Sequence, residues 1–173
     1  MLESVLEGSD GIEQAQNNIL SYLDNLVMSI EAVRIKMSST PEEQEKFEQL
    51  CIDQWELVLG DKNLGFYHGR VADEYSRLAV DLAAQKKETE CLCALEKMAY
   101  HAIAFDQRED GVYTQPWLDG KTYSVKSSSK SYSSSDSFRH LKSLDNSIYD
   151  FLRGKTRFVT VANQLQQAGK IDL

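Results

Sequence analysis

Proline is scarce in this sequence, and long apolar runs are missing. Only two of the 173 residues are proline. With 27% charged and 42% hydrophobic residues, this composition predicts a soluble, mostly helical globule. No stretch is long and apolar enough to cross a bilayer, and the N-terminus lacks the basic segment followed by an apolar run that marks a signal peptide. We therefore expect a cytoplasmic protein that does not contact membranes.

Cysteine is also scarce, and its spacing argues against a metal site. Cys51, Cys91 and Cys93 each lie in a helical pattern, and the last two direct their thiols to different faces of one helix. We expect small, buried and reduced side chains. The sequence has no HExxH, CxxC, glycine-rich phosphate loop, nucleophile elbow or paired-carboxylate motif. It therefore predicts no metal, no cofactor and no enzymatic activity.

Basic charge is in the minority. The sequence has 19 lysine and arginine residues against 27 aspartate and glutamate residues, which gives a formal net charge of -8. An acidic body repels the phosphate backbone of nucleic acids. We expect the acidic groups to form a solvated surface, and we expect no direct nucleic-acid contact by this chain.

The length suits a single domain over residues 1–173. Apolar spacing predicts a core of four antiparallel helices within residues 12–106, after a loose leader at residues 1–10. The first helix has apolar residues at gaps of three and four over about seven turns. Its predicted buried face comprises Ile12, Ala15, Ile19, Leu23, Leu26, Ile30 and Val33.

The boundaries of the second helix are marked by specific residues. Thr40 is a predicted cap, Pro41 fits the first helical position, and Glu43 completes a capping box. Gly60 is the predicted end of this helix.

The third and fourth helices have the spacing of a tetratricopeptide repeat. The third begins near Phe66 or Tyr67, and a polar hinge at residues 85–88 leads into the fourth. Small side chains at Ala79 and Cys91 allow the two backbones to approach closely. We therefore predict an all-α fold of about six helices, stacked as tetratricopeptide-like antiparallel pairs in an α-α superhelix. The residues matched to the repeat are Tyr75, Leu78, Ala79, Leu82, Cys91, Leu95 and Met98.

The helical pattern stops after Phe105 and returns at Ser137. Residues 107–137 are the predicted loop, and their serine-rich part is of low complexity, which is typical of an exposed connector. A helical pair at residues 138–168 completes the prediction, and no strand is expected.

Two tracts at the ends of the repeat unit carry a more specific likeness. Residues 64–68 (LGFYH) and 101–106 (HAIAFD), followed by a YT turn at 113–114, resemble the C-terminal region of bacterial Xre-type helix-turn-helix transcriptional regulators. The likeness covers roughly residues 12–165. The sequence departs from the family's pattern at residues 116–117 (PW), where a more aliphatic segment is expected.

This resemblance implies transcriptional regulation by the parent protein. Such regulators carry a compact DNA-binding domain N-terminal to this region. Residues 1–60 have neither the length nor the basic recognition helix of such a domain. We expect either an excised C-terminal portion or a stand-alone relative, with DNA contact made elsewhere.

Histidines and tyrosines of the repeat unit are the candidates for a binding surface. His68 and His101 lie at adjacent ends of an antiparallel pair and lack metal-ligand spacing, so we expect a structural polar pair. Tyr67, Tyr75 and Tyr100 either line a concave ligand or partner groove together with the two histidines, or pack between helices. An open groove would favour ligand sensing, and a closed one a structural role.

These features favour an interaction domain over an enzyme. We expect the effector-sensing or oligomerisation part of a transcriptional regulator, which binds a peptide, a protein or its own copy. The alternative is a stand-alone tetratricopeptide-like adaptor or scaffold for a partner protein. The long first helix is a candidate homodimer face.

Overall fold

Helices dominate the structure, a computed structural model that describes residues 9–37, 40–60, 64–125 and 135–169. The prediction of an all-α fold is confirmed. The elements in chain order are α1 (Ser9–Met37), α2 (Pro41–Leu59), a 3₁₀ turn (Gly65–Tyr67), α3 (His68–Ala84), α4 (Glu88–Asp106), strand β1 (Gly111–Val112), a 3₁₀ turn (Pro116–Leu118), strand β2 (Thr122–Tyr123), α5 (Asp136–Ser143), a 3₁₀ segment (Ser147–Leu152) and α6 (Thr156–Ala168).

The structure departs from the predicted elements in the loop and at the start of the first helix. Strands β1 and β2 pair antiparallel, with Gly111 opposite Tyr123, where the sequence predicts no strand. Two-residue strands are too short to show a period in the sequence. Helix α1 begins at Ser9, so the end of the predicted leader is helical. Residues 1–8 and most of the serine-rich connector lie outside the described residues.

Helix α2 is bounded as its sequence predicts. The Thr40 hydroxyl accepts a hydrogen bond from the Glu43 N–H at 3.2 Å, and the Glu43 carboxylate accepts one from the Thr40 N–H at 3.3 Å. Pro41 occupies the first turn, where its missing N–H costs no hydrogen bond. Gly60 follows the last helical residue with a φ of 75°, a conformation that glycine tolerates.

Helices α3 and α4 pack around two small residues. Ala79 and Cys91 are fully buried, and the Cys91 thiol donates to the Ala79 carbonyl at 3.3 Å. The two helix backbones therefore approach closely at this point. The hinge turns at Lys86, whose φ is 59°, and the Lys87 N–H donates to the Leu82 carbonyl at 3.0 Å. Four other side chains that the sequence matched to the repeat pattern are buried in the same core: Leu78, Leu82, Leu95 and Met98.

The buried face of α1 differs from the predicted one. Ile12, Leu26 and Val33 are exposed, so the predicted face was wrong for these residues. Helix α1 carries two adjacent apolar stripes with gaps of three and four residues, and periodicity does not tell which of them faces the core. The buried positions of α1 are Gln16, Leu20, Leu23 and Val27.

A buried ionic network holds α1, α2 and α3 together. The fully buried Glu48 carboxylate forms an ion pair with Arg34 at 2.9 Å and accepts a hydrogen bond from Arg77 at 3.1 Å. Arg77 also pairs with Glu74 at 2.7 Å and with Glu31. Burial raises the pKa of the Glu74 carboxyl to about 8, against the opposing effect of the Arg77 charge. A packing of the three helices that separated these partners would leave a buried charge uncompensated. The network therefore favours the observed arrangement of α1, α2 and α3.

Helix α5 begins against the end of α4. The two Asp106 carboxylate oxygens accept the N–H groups of Asp136 and Ser137, each at 2.8 Å. These are donors that the start of a helix leaves without an intrahelical partner. Arg139 of α5 then pairs with Asp73 of α3 at 2.5 Å. The carboxylates of Asp106 and Asp73 thus attach α5 to α4 and α3.

The C-terminal helical pattern is divided in the structure. The sequence predicts a helical pair over residues 138–168, and the first helix of that region, α5, ends at Ser143. The Asn146 side chain accepts the Ile148 N–H at 3.0 Å and starts a separate 3₁₀ segment. A local side-chain hydrogen bond of this kind competes with helix continuation, and here it prevails.

Candidate functional site

His68 and His101 meet where α3 begins and α4 ends, as the antiparallel geometry predicts. Their Nδ1 atoms are 2.9 Å apart, so one ring donates and the other accepts. Both side chains are buried. Burial, reinforced by the charges of His68 and Lys97, lowers the pKa of His101 to about 3. His101 is therefore neutral near pH 7 and suited to a hydrogen bond between two imidazoles.

Tyr75 extends this cluster toward α2. Its ring stacks on His101 with the centroids 5.8 Å apart. Its hydroxyl donates to Glu56 and accepts from Lys97, both at 2.8 Å. Burial, followed by the hydrogen bond to Glu56, raises the pKa of the Tyr75 hydroxyl above its usual range. The phenol therefore stays protonated, and its hydroxyl links Glu56 of α2 to Lys97 of α4.

The five side chains predicted to line a groove do not line one together. Tyr75, His68 and His101 are buried against each other, and Tyr100 is exposed with its ring edge toward His101. Tyr67 is half-buried and lines a separate pocket. Packing between helices, the alternative that the sequence left open, describes the three buried side chains.

The hairpin of β1 and β2 docks on the C-terminal end of α2. The Trp117 indole N–H donates to the Val58 carbonyl at 2.8 Å, and the Gln115 amide donates to the Leu59 carbonyl at 2.9 Å. The last carbonyls of a helix have no partner within the helix. The turn at which the sequence departs from the family pattern therefore caps α2 and positions the hairpin.

The Tyr123 ring of β2 packs against the backbone at Gly65 and Gly111, where any side chain would clash with it. A Cβ atom on Gly65 would lie 2.9 Å from the Tyr123 ring, and one on Gly111 would lie 2.5 Å from its hydroxyl oxygen. Gly65 also has a φ of 52°, which disfavours any other residue. The glycine of the LGFYH tract therefore accommodates an aromatic ring from the hairpin.

Two pockets meet at the Tyr123 ring. The first, the aromatic pocket, has a volume of about 250 Å³ and walls formed by Phe66, Tyr67 and Tyr113. The second, the polar pocket, has a volume of about 370 Å³. Concave sites that combine apolar walls with a few polar groups are typical of ligand-binding sites. The histidine and charged side chains that line the polar pocket are His68, Arg108, Glu109 and Asp110.

The lining offers hydrogen-bonding groups on apolar walls. Burial, with the charge of Asp24 adding to it, raises the pKa of Tyr67 to about 12. Burial also raises the pKa of Tyr113 above its usual range, so both phenols stay protonated. The Arg108 guanidinium lies over the Phe105 ring, 3.7 Å from its centroid, which holds it at the edge of the polar pocket. This chemistry suits an amphipathic ligand.

Sequence reasoning missed the hairpin half of this site. Tyr113 and Tyr123 lie in a segment predicted as loop, and Phe66 was considered only as a helix start. The available signal was the concentration of glycine and aromatic residues in 107–123. These residue types mark close backbone approach and packed rings.

Two further features of the described residues concern metal ions and membranes. Within them, no group of three or more His, Cys, Asp or Glu side chains is arranged to hold a metal ion. No helix in the described part of the chain is long and apolar enough to cross a membrane.

Comparison with known proteins gives no assignment. No family model, curated protein or solved structure matches the chain. The resemblance to Xre-type regulators therefore stays a prediction from the sequence tracts.

Proposed function

We propose that this chain is a non-enzymatic helical-repeat interaction domain, the effector-sensing part of a bacterial transcriptional regulator. In this proposal it binds a short peptide at the two pockets beside Tyr123. The observation that carries it is that one ring, Tyr123, forms a wall of both the aromatic and the polar pocket. DNA contact would be made by another part of the regulator, because an acidic chain repels phosphate.

The arrangement of the pockets supports a peptide over a single small group. Adjacent pockets on either side of one ring suit two side chains of an extended peptide. An apolar side chain fits among Phe66, Tyr67 and Tyr113. A polar or charged side chain fits beside Arg108 and the neighbouring carboxylates.

The position of the pockets also supports the regulator. The tract at 64–68 supplies Phe66 and Tyr67 to one pocket and His68 to the other. The tract at 101–106 supplies Ala104 to the polar pocket. The residues that carry the resemblance are thus among those that line the candidate site.

A filling substitution tests the peptide site. Peptides are selected on the full chain from a random display library, and the best is synthesised with a fluorescent label. Ala104→Phe places a ring in the polar pocket, whereas Ala84→Phe places the same ring at the exposed end of α3. We expect Ala104→Phe to raise the dissociation constant, measured by fluorescence anisotropy, by about tenfold or more, with Ala84→Phe within about twofold of wild type. Equal effects of the two substitutions would place the peptide elsewhere.

A reporter assay tests the regulatory part of the proposal. The chain is fused to a monomeric DNA-binding domain, and the selected peptide is co-expressed. We expect the peptide to change reporter output and Ala104→Phe to abolish that change. A peptide that binds the wild-type fusion and leaves the reporter unchanged would instead favour an adaptor or scaffold.

A further inference from the structure

A second apolar stripe on α1 is exposed along much of its length, while its members Ile19 and Ile30 also pack partly against the core. Its members recur at gaps of three and four residues, which is the spacing of a coiled-coil seam. Tyr22 and Met37 are 68% and 73% exposed. This outer stripe comprises Ile12, Ala15, Ile19, Tyr22, Leu26, Ile30, Val33 and Met37.

Charge is nearly missing beside the outer stripe. An exposed helix side normally carries charged residues, and 27% of this chain is charged. Exposed apolar and aromatic side chains with few charges are instead the composition of an interface core. The positions that border the stripe on its solvent side are Gln14, Asn18, Asn25, Ser29, Ala32 and Lys36, of which only Lys36 is charged.

We propose that the outer stripe pairs with the outer stripe of a second copy of this chain, in an antiparallel two-fold arrangement. This pairing is separate from the proposed peptide site, which uses α3, α4, the hairpin and the inner side of α1. Two copies with a formal net charge of -8 repel each other. If the copies meet through a nearly uncharged face, no like charges are brought into contact at the interface.

Part of the stripe meets itself when two copies of α1 run antiparallel. When two copies cross at residue 24, Ala15 lies opposite Val33 of the second copy, and Tyr22 lies opposite Leu26. The same contacts then occur twice, as an isologous two-fold interface requires. In the antiparallel direction, the N-terminus of each helix lies beside the C-terminus of the other, which is favourable for the helix dipoles. This direction also keeps the two Lys36 side chains at opposite ends of the interface, whereas a parallel pair would bring them together.

The size of the stripe sets the expected affinity. Residues 12–37 span about 39 Å of a helix that is about 10 Å wide, a footprint of roughly 400 Å² per copy. A standard interface buries about 800 Å² per partner. We therefore expect a reversible dimer with a micromolar dissociation constant and no obligate assembly.

Matched lysine substitutions on one helix test the dimer. Leu26→Lys introduces charge into the outer stripe. Ile35→Lys makes the same change at an exposed position on another side of α1 (73% exposed, against 46% for Leu26). Sedimentation velocity of the full chain, from low to several hundred micromolar, should show wild type dimerising. Leu26→Lys should raise the dissociation constant by about tenfold or more, and Ile35→Lys should leave it within about twofold. Circular dichroism checks that both variants stay folded.

A charge pair tests the direction. Tyr22→Glu combined with Leu26→Lys sets opposite charges against each other across an antiparallel interface, so we expect the double variant to recover dimerisation that each single variant loses. In a parallel pair the introduced lysines would face each other, and absence of recovery would overturn the antiparallel arrangement. Monomer at every wild-type concentration, or equal loss in Ile35→Lys, would overturn the dimer. Anisotropy of the labelled peptide on Leu26→Lys reports the peptide site separately, so the two proposals can fail independently.

Discussion

At Gly65 two independent constraints fall on one residue. Its φ of 52° lies in the left-handed region, and the Tyr123 ring occupies the space that a side chain would need. Gly154 carries neither constraint, because a Cβ atom there would meet no heavy atom within 4 Å and its φ is not positive. The two glycines therefore form a matched pair for experiment.

Replacing Gly65 with alanine should destabilise the fold. We expect Gly65→Ala to lower the free energy of unfolding by about 2 kcal/mol or more, since backbone strain and the displaced Tyr123 ring both contribute. Gly154→Ala should change it by less than about 0.5 kcal/mol. Urea denaturation followed by circular dichroism measures both. A Gly65→Ala protein as stable as Gly154→Ala would mean that the ring moves aside without cost.

At the scale of an element, α5 depends on its neighbours. It has eight residues, and helices this short are marginal alone in water. Its first N–H groups are satisfied by the Asp106 carboxylate of α4. In the sequence, Asp106 belongs to the tract at 101–106, and its two partners lie about 30 residues later, at the end of the serine-rich segment.

Removing the Asp106 carboxylate should loosen α5 locally. We expect Asp106→Ala to cost about 1–2 kcal/mol, because it removes two hydrogen bonds from a helix start to a charged acceptor. Hydrogen exchange measured by mass spectrometry should show faster exchange across residues 136–143. The exposed Asp119 provides the control, and Asp119→Ala should leave exchange in α5 unchanged. Unchanged exchange in Asp106→Ala would show that packing alone holds the helix.

Helix α1 shows which features the apolar periodicity of a sequence predicts and which it does not. The sequence correctly predicted a long helix with apolar residues at gaps of three and four. It assigned Leu26 to the core, whereas Val27 is buried and Leu26 is exposed. Two neighbouring stripes satisfy the same period, so the choice between them requires the position of α2 and α3. The buried Glu48, which binds Arg34 of α1, helps to make that choice.

At the scale of the whole molecule, the cysteines report on the integrity of the core. Cys51 on α2 and Cys91 on α4 are fully buried as predicted, but the prediction was wrong for Cys93, which is exposed. Burial raises the pKa of both Cys51 and Cys91 to about 12, with nearby carboxylates adding to the shift at Cys51. Since the thiolate is the reactive form, both residues should be inert while the fold is intact.

Alkylation should therefore proceed in two stages. We expect iodoacetamide at neutral pH to modify Cys93 alone in the native protein, and all three cysteines once urea unfolds it. Intact-mass spectrometry counts the added groups, and Cys93→Ser should show no modification before unfolding. Native modification of Cys51 or Cys91 would show that the core opens without global unfolding.

The sequence by itself determined features whose causes lie within a few residues. The Thr40 capping box, the polar hinge and the meeting of His68 with His101 follow from local hydrogen bonding and from the antiparallel return of the chain. Only the tertiary structure decided that Tyr123 lies against Gly65 and that Trp117 caps α2. Those contacts join segments far apart in sequence. Their geometry depends on how several helices fill space together, which a local period does not encode.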